Sequence, residues 1–178
     1  DRVFLLLLYG CGLRRGECVA LTRSDIDLTA FEVNVDKSIA YVDLEVIRKD
    51  TKNGKHRRVP IPELLRQPLS EYVKDMKKDA LLFSMRNGEP LTKSSLDKMW
   101  RRILIALQKA CIEPIEGLTP HILRHNYCTT LCYQIPAIGI NDIAYLMGDS
   151  KEVVLGIYDH LNMNHTKVQE TVSSALNL

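Results

Sequence analysis

The chain has 178 residues, 46% of them hydrophobic and 26% charged, with a formal net charge of +2. That length suits one large domain or two small ones around a substantial core. The near-neutral balance excludes a globally basic nucleic-acid binder, so any such surface must be local, and the longest apolar run, Val3 to Tyr9, is too short to span a bilayer and lacks signal-peptide flanks.

Asp1 leads straight into Val3-Phe4-Leu5-Leu6-Leu7-Leu8-Tyr9, read as a buried helix, and the abrupt opening suggests a piece of a longer protein. Gly10 and Gly12 are expected to break that helix, with a second starting near Leu13. Arg14 then has Glu17 one turn on. The pair is either a surface ion pair worth a few tenths of a kcal/mol or a phosphate clamp, with an arginine braced by a carboxylate beside glycines that bring backbone close. Thr22 to Asp27 is a turn cluster. After it the period falls to two, predicting strands at Phe31 to Val35, Lys37 to Tyr41, Leu44 to Arg48 and Arg57 to Ile61. Asn53-Gly54 is a hairpin signal between the last two. It places Lys52 on a hairpin tip within a basic run of Lys52, Lys55, His56, Arg57 and Arg58, which is either a solvated loop or a lysine carried onto a backbone.

Pro62-Glu63 opens an amphipathic helix to about Lys78, followed by a short strand at Leu81 to Phe83. Ser94-x-x-Asp97 starts a helix with Met99, Trp100, Ile103, Leu104 and Leu107 on one face. Its other side carries Lys98, Arg101, Arg102 and Lys109, a solvated flank or one that fits DNA. Thr119 and Pro120 are a strong helix start, cap followed by proline at the first position. His121 and Arg124 leave the first turn on one face. With the orphan N–H groups they suit a phosphate; the bland alternative is a capped surface helix with a loose basic pair. Asn141 or Asp142 caps a helix that stops at Gly148, and Ser150 caps another to about Tyr158. Val168, Val172 and Leu176 form a narrow apolar stripe that needs a partner surface. The five cysteines, at 11, 18, 111, 128 and 132, lie in apolar patterns and read as buried, reduced thiols of a cytoplasmic protein. Cys128 and Cys132 follow His125 at helical spacing, but no second ligand pair accompanies them, so no metal is expected.

Taken together, Gly12-Leu13-Arg14-x-x-Glu17, Lys52, His121-x-x-Arg124-His125, Leu146-Met147-Gly148-Asp149-Ser150 and Ile157-Tyr158-Asp159-His160 occur in a telling order. The set resembles the catalytic domain of tyrosine recombinases, the phage integrase family, and is similar to integrases of Gram-positive mobile elements. The resemblance covers essentially the whole chain. It implies an α+β fold, mostly α-helical, with a small antiparallel three- to four-stranded sheet at one edge. Residues 1–178 would be the catalytic domain, 162–178 its tail helix, and the family's N-terminal DNA-clamping domain would be absent.

The implied activity is site-specific recombination: cleavage and rejoining of double-stranded DNA without cofactor, metal or ATP, in integration and excision of a mobile element. Tyr158 would attack the scissile phosphate, Arg14 and Arg124 would grip it, Lys52 would protonate the leaving 5′-oxygen, and His121 would handle protons or donate to the phosphate. Glu17, His125 and His160 would support these groups, while Arg15, Lys55, His56, Arg57, Arg101 and Arg102 would contact DNA. Other protomers, four on DNA, are the implied partners, joined through the tail, with no membrane involved. The family usually has His or Trp where this chain has Asp149, and an ionised carboxylate cannot donate to a phosphate. Three readings are open: Asp149 turns away and braces His121 or Arg124, is protonated beside the anion, or marks an impaired site. Two alternatives to a recombinase accompany them, a type IB topoisomerase and a DNA-binding module without catalysis.

Overall fold

The computed structural model describes residues 1–42, 45–51, 54 and 56–161. The apolar run near the start is helix α1 (Arg2–Cys11), with Val3, Phe4, Leu7, Leu8 and Cys11 buried along one stripe. Each such side chain removed from water contributes roughly 1.5–3 kcal/mol. Gly10 does not break the helix; Gly12 does, with φ 60° in the left-handed region that ends a helix without a Cβ penalty. Helix α2 (Arg15–Ala20) follows at once, then a single 3-10 turn, Arg23–Asp25.

The fold class is as expected, mostly helical with small antiparallel sheets, but the strands divide in two. Strands β1 (Ile26–Asp27), β2 (Glu32–Val35) and β5 (Arg57–Pro60) form one sheet in the order β1-β2-β5, while β3 (Lys37–Val42) and β4 (Glu45–Asp50) form a two-stranded ribbon. In the larger sheet Val33 faces Val59 and Val35 faces Arg57. The chain changes sheets at Asp36, beside which Lys37 Nζ is held by Asp25 at 2.7 Å and Asp36 at 2.9 Å. Gly54 donates to the Thr51 carbonyl at 2.9 Å, but among the described residues the hairpin pairing expected around Asn53-Gly54 does not form: β4 pairs with β3, and β5 with β2. Lys52, Asn53 and Lys55 lie outside the described residues.

Helix α3 (Glu63–Val73) stops short of Lys78 because Arg23 Nε takes the Val73 carbonyl at 3.2 Å and the chain turns back to bond the 3-10 turn through Lys78 and Ala80. Helix α4 (Lys93–Ala110) starts earlier than Ser94 suggested, capped by Thr92, whose Oγ1 accepts from Ser95 N at 3.2 Å. Helix α5 (Pro120–Cys132) has the expected cap, Thr119 Oγ1 accepting from Ile122 N at 3.2 Å. Helix α6 (Ile140–Met147) starts ahead of Asn141, at a Gly139 N-cap, and ends at Gly148 with φ 57°. Helix α7 (Lys151–Leu161) carries Tyr158. The tail segment 162–178 lies outside the described residues.

Two apolar clusters result. The larger joins α1, α2, the sheets, α3, α4 and Leu123; the smaller gathers Cys128, Cys132, Ile143, Ala144, Met147 and Val154 from α5, α6 and α7. Four cysteines are buried, but Cys111 is exposed, because it caps the end of α4 outside the apolar face. Among the described residues no helix is long and apolar enough to cross a membrane.

Candidate active site

The seam between the two clusters collects the charged groups. Gly12 makes the tight reversal from α1 to Arg14, and a Cβ there would lie 2.2 Å from the Tyr127 ring, so both its φ and its space demand glycine. Arg14 is the N-cap of α2. Glu17 folds back on it, Oε2 accepting from the Arg14 backbone N at 2.9 Å and Oε1 from Nη1 at 3.0 Å. The pair is not on the surface: Glu17 is 1% exposed.

What allows Glu17 to be buried is Arg57. Its Nη1 and Nη2 reach the two Glu17 oxygens at 3.1 and 2.7 Å, and its Nε donates to the Leu146 carbonyl at 2.8 Å. The expectation that Arg57 contacts DNA is corrected here: at 2% exposed it faces inward. The reason is strand alternation. In β5 the residues are in turn buried, exposed, buried and exposed, so Arg57 shares a face with Val59 and points into the protein while Arg58 points out. Burial alone would raise the Glu17 pKa, but the hydrogen bonds and charge of Arg57, then those of Arg14, hold it below the usual carboxylate value.

Arg124 comes from the second turn of α5 and is 4% exposed. Nη1 donates to the Gly12 carbonyl at 2.7 Å, and Nη2 donates to the Met147 carbonyl at the end of α6. Cationic donors at a helix C-terminus satisfy its orphan carbonyls and its dipole. Nη2 also reaches Asp149 Oδ2 at 2.6 Å. Asp149 Oδ1 lies 2.5 Å from Arg14 Nη2, which in addition donates to the Gly148 carbonyl at 3.3 Å. Asp149 therefore braces Arg124, as the first of the three readings had it, but instead of turning away it stands between the two guanidiniums and accepts from both. Burial and then the Arg14 charge lower the Arg124 pKa, with Asp149 and Glu17 opposing. At Gly148 a Cβ would lie 2.8 Å from Arg57 Nη1, so the glycine also lets the α6–α7 junction close over that guanidinium.

Arg14, Arg124 and His121 line one cavity of about 470 Å³, together with Arg15, Thr119 and Pro120. His121 and Arg15 are exposed at its rim, and His125 is exposed as well. Tyr158 is half-buried, packed on the smaller cluster, and is not among the residues lining this cavity. His160 is exposed on α7. Of the other basic residues, His56 pairs with Asp50 at 2.9 Å and Arg102 with both Asp1 oxygens at 2.9 Å, while Arg101 is exposed on α4. Lys52 and Lys55 lie outside the described residues. Among the described residues no group of His, Cys, Asp and Glu is arranged to hold a metal ion. Sequence reasoning missed the bracing by Arg57 and the carbonyls of Gly12, Leu146, Met147 and Gly148. The signal for Arg57 was available in its two-residue spacing from Val59 and Ile61.

Chemically this is an anion seat: two guanidiniums fixed by backbone carbonyls and carboxylates, beside an open cavity rimmed by an imidazole. Comparison with known proteins agrees. Tyrosine recombinase XerA of Thermococcus kodakarensis is 31% identical over 173 residues, covering 96% of this chain and 54% of the relative. Tyrosine recombinase XerD of Proteus mirabilis is 30% identical over 175 residues, covering 94% of this chain and 50% of the relative. The chain thus spans about half the length of these curated relatives. The structure of Tn1549 transposon integrase in complex with a circular intermediate DNA superposes with a TM-score of 0.76 at 24% identity, over 96% of this chain and 57% of that one. The crystal structure of XerA recombinase gives 0.64 at 23% identity, over 97% and 57%. Residues 1–165 match the phage integrase family. With that match across nearly its whole length, and two carboxylate-braced arginines brought together from distant parts of the sequence, the chain belongs to the phage integrase family.

Proposed function

We propose that this chain is the catalytic domain of a site-specific DNA recombinase, cleaving and rejoining double-stranded DNA through a 3′-phosphotyrosine intermediate in integration and excision of a mobile element. The observation that carries the reading is the convergence of Arg14 and Arg124, far apart in sequence, on one carboxylate beside an open cavity. A phosphodiester in that cavity is gripped by both guanidiniums, and the charge that develops on its non-bridging oxygens is stabilised by donors already anchored on backbone carbonyls. The Tyr158 oxygen attacks phosphorus and loses its proton; the bond from phosphorus to the 5′-oxygen breaks; Lys52 supplies the proton that this oxygen takes. His121, on the cavity rim, donates to the phosphate or relays a proton. Glu17 and Arg57 hold Arg14 in place. Because Tyr158 does not line the cavity, α7 must carry it there for in-line attack.

The bond energy of the strand is kept in the phosphotyrosine, so a second 5′-hydroxyl can reverse the step on another duplex. The similarity to named recombinases supports recombination over supercoil relaxation, which would use the same covalent step. Partner protomers, four on DNA and coupled through 162–178, complete the reading, in the cytoplasm and without cofactor. Exposed Arg15, His56, Arg101 and Arg102, with Lys55, supply phosphate contacts, so binding weakens steeply with salt.

The test is covalent trapping. The chain is mixed with a pool of nicked random-sequence duplexes and run on a denaturing gel. A protein–DNA adduct is expected for the natural chain and none for Tyr158→Phe. An adduct that persists in Tyr158→Phe, or none from the natural chain, overturns the proposal.

A further inference from the structure

Arg14 and Arg124 already grip an anion, and that anion belongs to the chain. Asp149 places one oxygen on Nη2 of each, at 2.5 and 2.6 Å. Two oxygens on one centre, one for each guanidinium, is also what a phosphodiester offers with its non-bridging pair. Counting donors shows that Nη2 of each arginine cannot serve both. The two N–H groups of Arg124 Nη2 go to the Met147 carbonyl and Asp149, and Nη1 donates to the Gly12 carbonyl. Arg14 gives Nη2 to the Gly148 carbonyl and Asp149, and Nη1 to Glu17. A phosphate seeking Nη2 of either arginine must take it from Asp149, and would otherwise sit against a like charge.

There is room for the exchange. On one side lies the cavity of about 470 Å³ lined by Arg14, His121 and Arg124. Asp149 also borders a second cavity of about 630 Å³, with His56, Tyr145 and Lys151 among its lining. Its side chain is 22% exposed and follows the left-handed Gly148 at the junction of α6 and α7.

We infer that Asp149 is a positioning residue that stands in for the scissile phosphate: without DNA it holds Arg14 and Arg124 at the spacing the phosphate needs, and the phosphate must displace it to be gripped. The inference rests on the reading that these two arginines bind that phosphate. On arrival of DNA the carboxylate swings into the second cavity, and each guanidinium exchanges one anion for another with its backbone anchors intact.

The experiment titrates inorganic phosphate against the chain carrying Tyr158→Phe, with Asp149 kept or changed to Asn or Ala, by calorimetry and thermal melting. Both changes are expected to tighten phosphate binding by about tenfold or more, since each removes a competing charge. Adding Arg124→Lys to Asp149→Ala is expected to abolish that gain. A variant that folds poorly should have its melting temperature restored by phosphate. A merely structural Asp149 gives the opposite pattern, lost stability with no gain in phosphate affinity, and that result overturns the inference; so does a destabilised variant that phosphate does not rescue. The phosphate assay needs no cleavage. A gain in affinity with no covalent adduct from the natural chain counts against the recombinase reading alone, whereas an adduct from the natural chain without the gain counts against this inference alone.

Discussion

Both oxygens of the Glu17 carboxylate are held by the two terminal nitrogens of Arg57, with each side chain only 1% exposed. A pair taken out of water to this degree offers little net stability over an apolar pair, but losing one partner strands a buried charge. Glu17→Gln is therefore expected to cost about 3–5 kcal/mol in urea unfolding. Adding Arg57→Met should recover a large part of that loss, because the stranded guanidinium goes with it. Additive losses in the double variant would argue against the coupling.

The same pair sets an acid limit. The folded carboxyl titrates below its ordinary value of 4.5, which the unfolded chain keeps. The unfolded state thus binds the proton first as pH falls. The stabilisation is complete above the ordinary value and is lost as pH drops through the folded one. Unfolding free energy measured between about pH 6 and pH 3 should decline in the natural chain, and Glu17→Gln should flatten that decline. Parallel curves for the two proteins would contradict the assignment.

Gly12→Ala tests the reversal that presents Arg14. The residue has φ 60°, and the added methyl meets the Tyr127 ring at 2.2 Å. Left-handed strain and overpacking together predict a loss of about 2–4 kcal/mol. Since the Gly12 carbonyl also anchors Arg124, cleavage should suffer even at temperatures where the variant remains folded. A variant with unchanged melting would show that the α1–α2 turn relaxes more easily than its geometry indicates.

Arg124→Lys keeps the charge but loses the fork. One ammonium cannot hold the Gly12 and Met147 carbonyls and also a phosphate in fixed geometry. Single-turnover cleavage is expected to fall by about 100- to 1000-fold, with DNA affinity changed far less. Equal losses in binding and rate would mean that the residue acts before the chemical step.

How much of this could be read beforehand depended on whether a signal was local. Thr119 and Pro120 announced their helix because capping is settled within one turn, and the left-handed stop at Gly148 was equally local. The end of α3 was not, since Arg23, fifty residues upstream, closes it through the Val73 carbonyl. The β4–β5 hairpin was a fair expectation from Asn53-Gly54, yet each strand found its partner elsewhere, a choice made by tertiary packing rather than by the turn. Arg57 was misplaced because charge was taken for exposure. Its spacing from Val59 and Ile61 already put it on the inner face, and only the fold reveals that Glu17 is there to meet it. The same holds for Asp149: the sequence shows an acid where a donor is usual, but not that both arginines turn to it.

Three guanidiniums, Arg14, Arg57 and Arg124, are grouped with two carboxylates, Glu17 and Asp149, so together these five groups carry a single uncompensated positive charge. Seen from a distance the cluster is almost a neutral body. At physiological ionic strength its field fades within about 8 Å, too short a reach to draw a polyanion through solution. On the proposed function, capture of a duplex falls to the cations on the outer surface, and Arg14 and Arg124 take hold only after the strand has come to rest upon them.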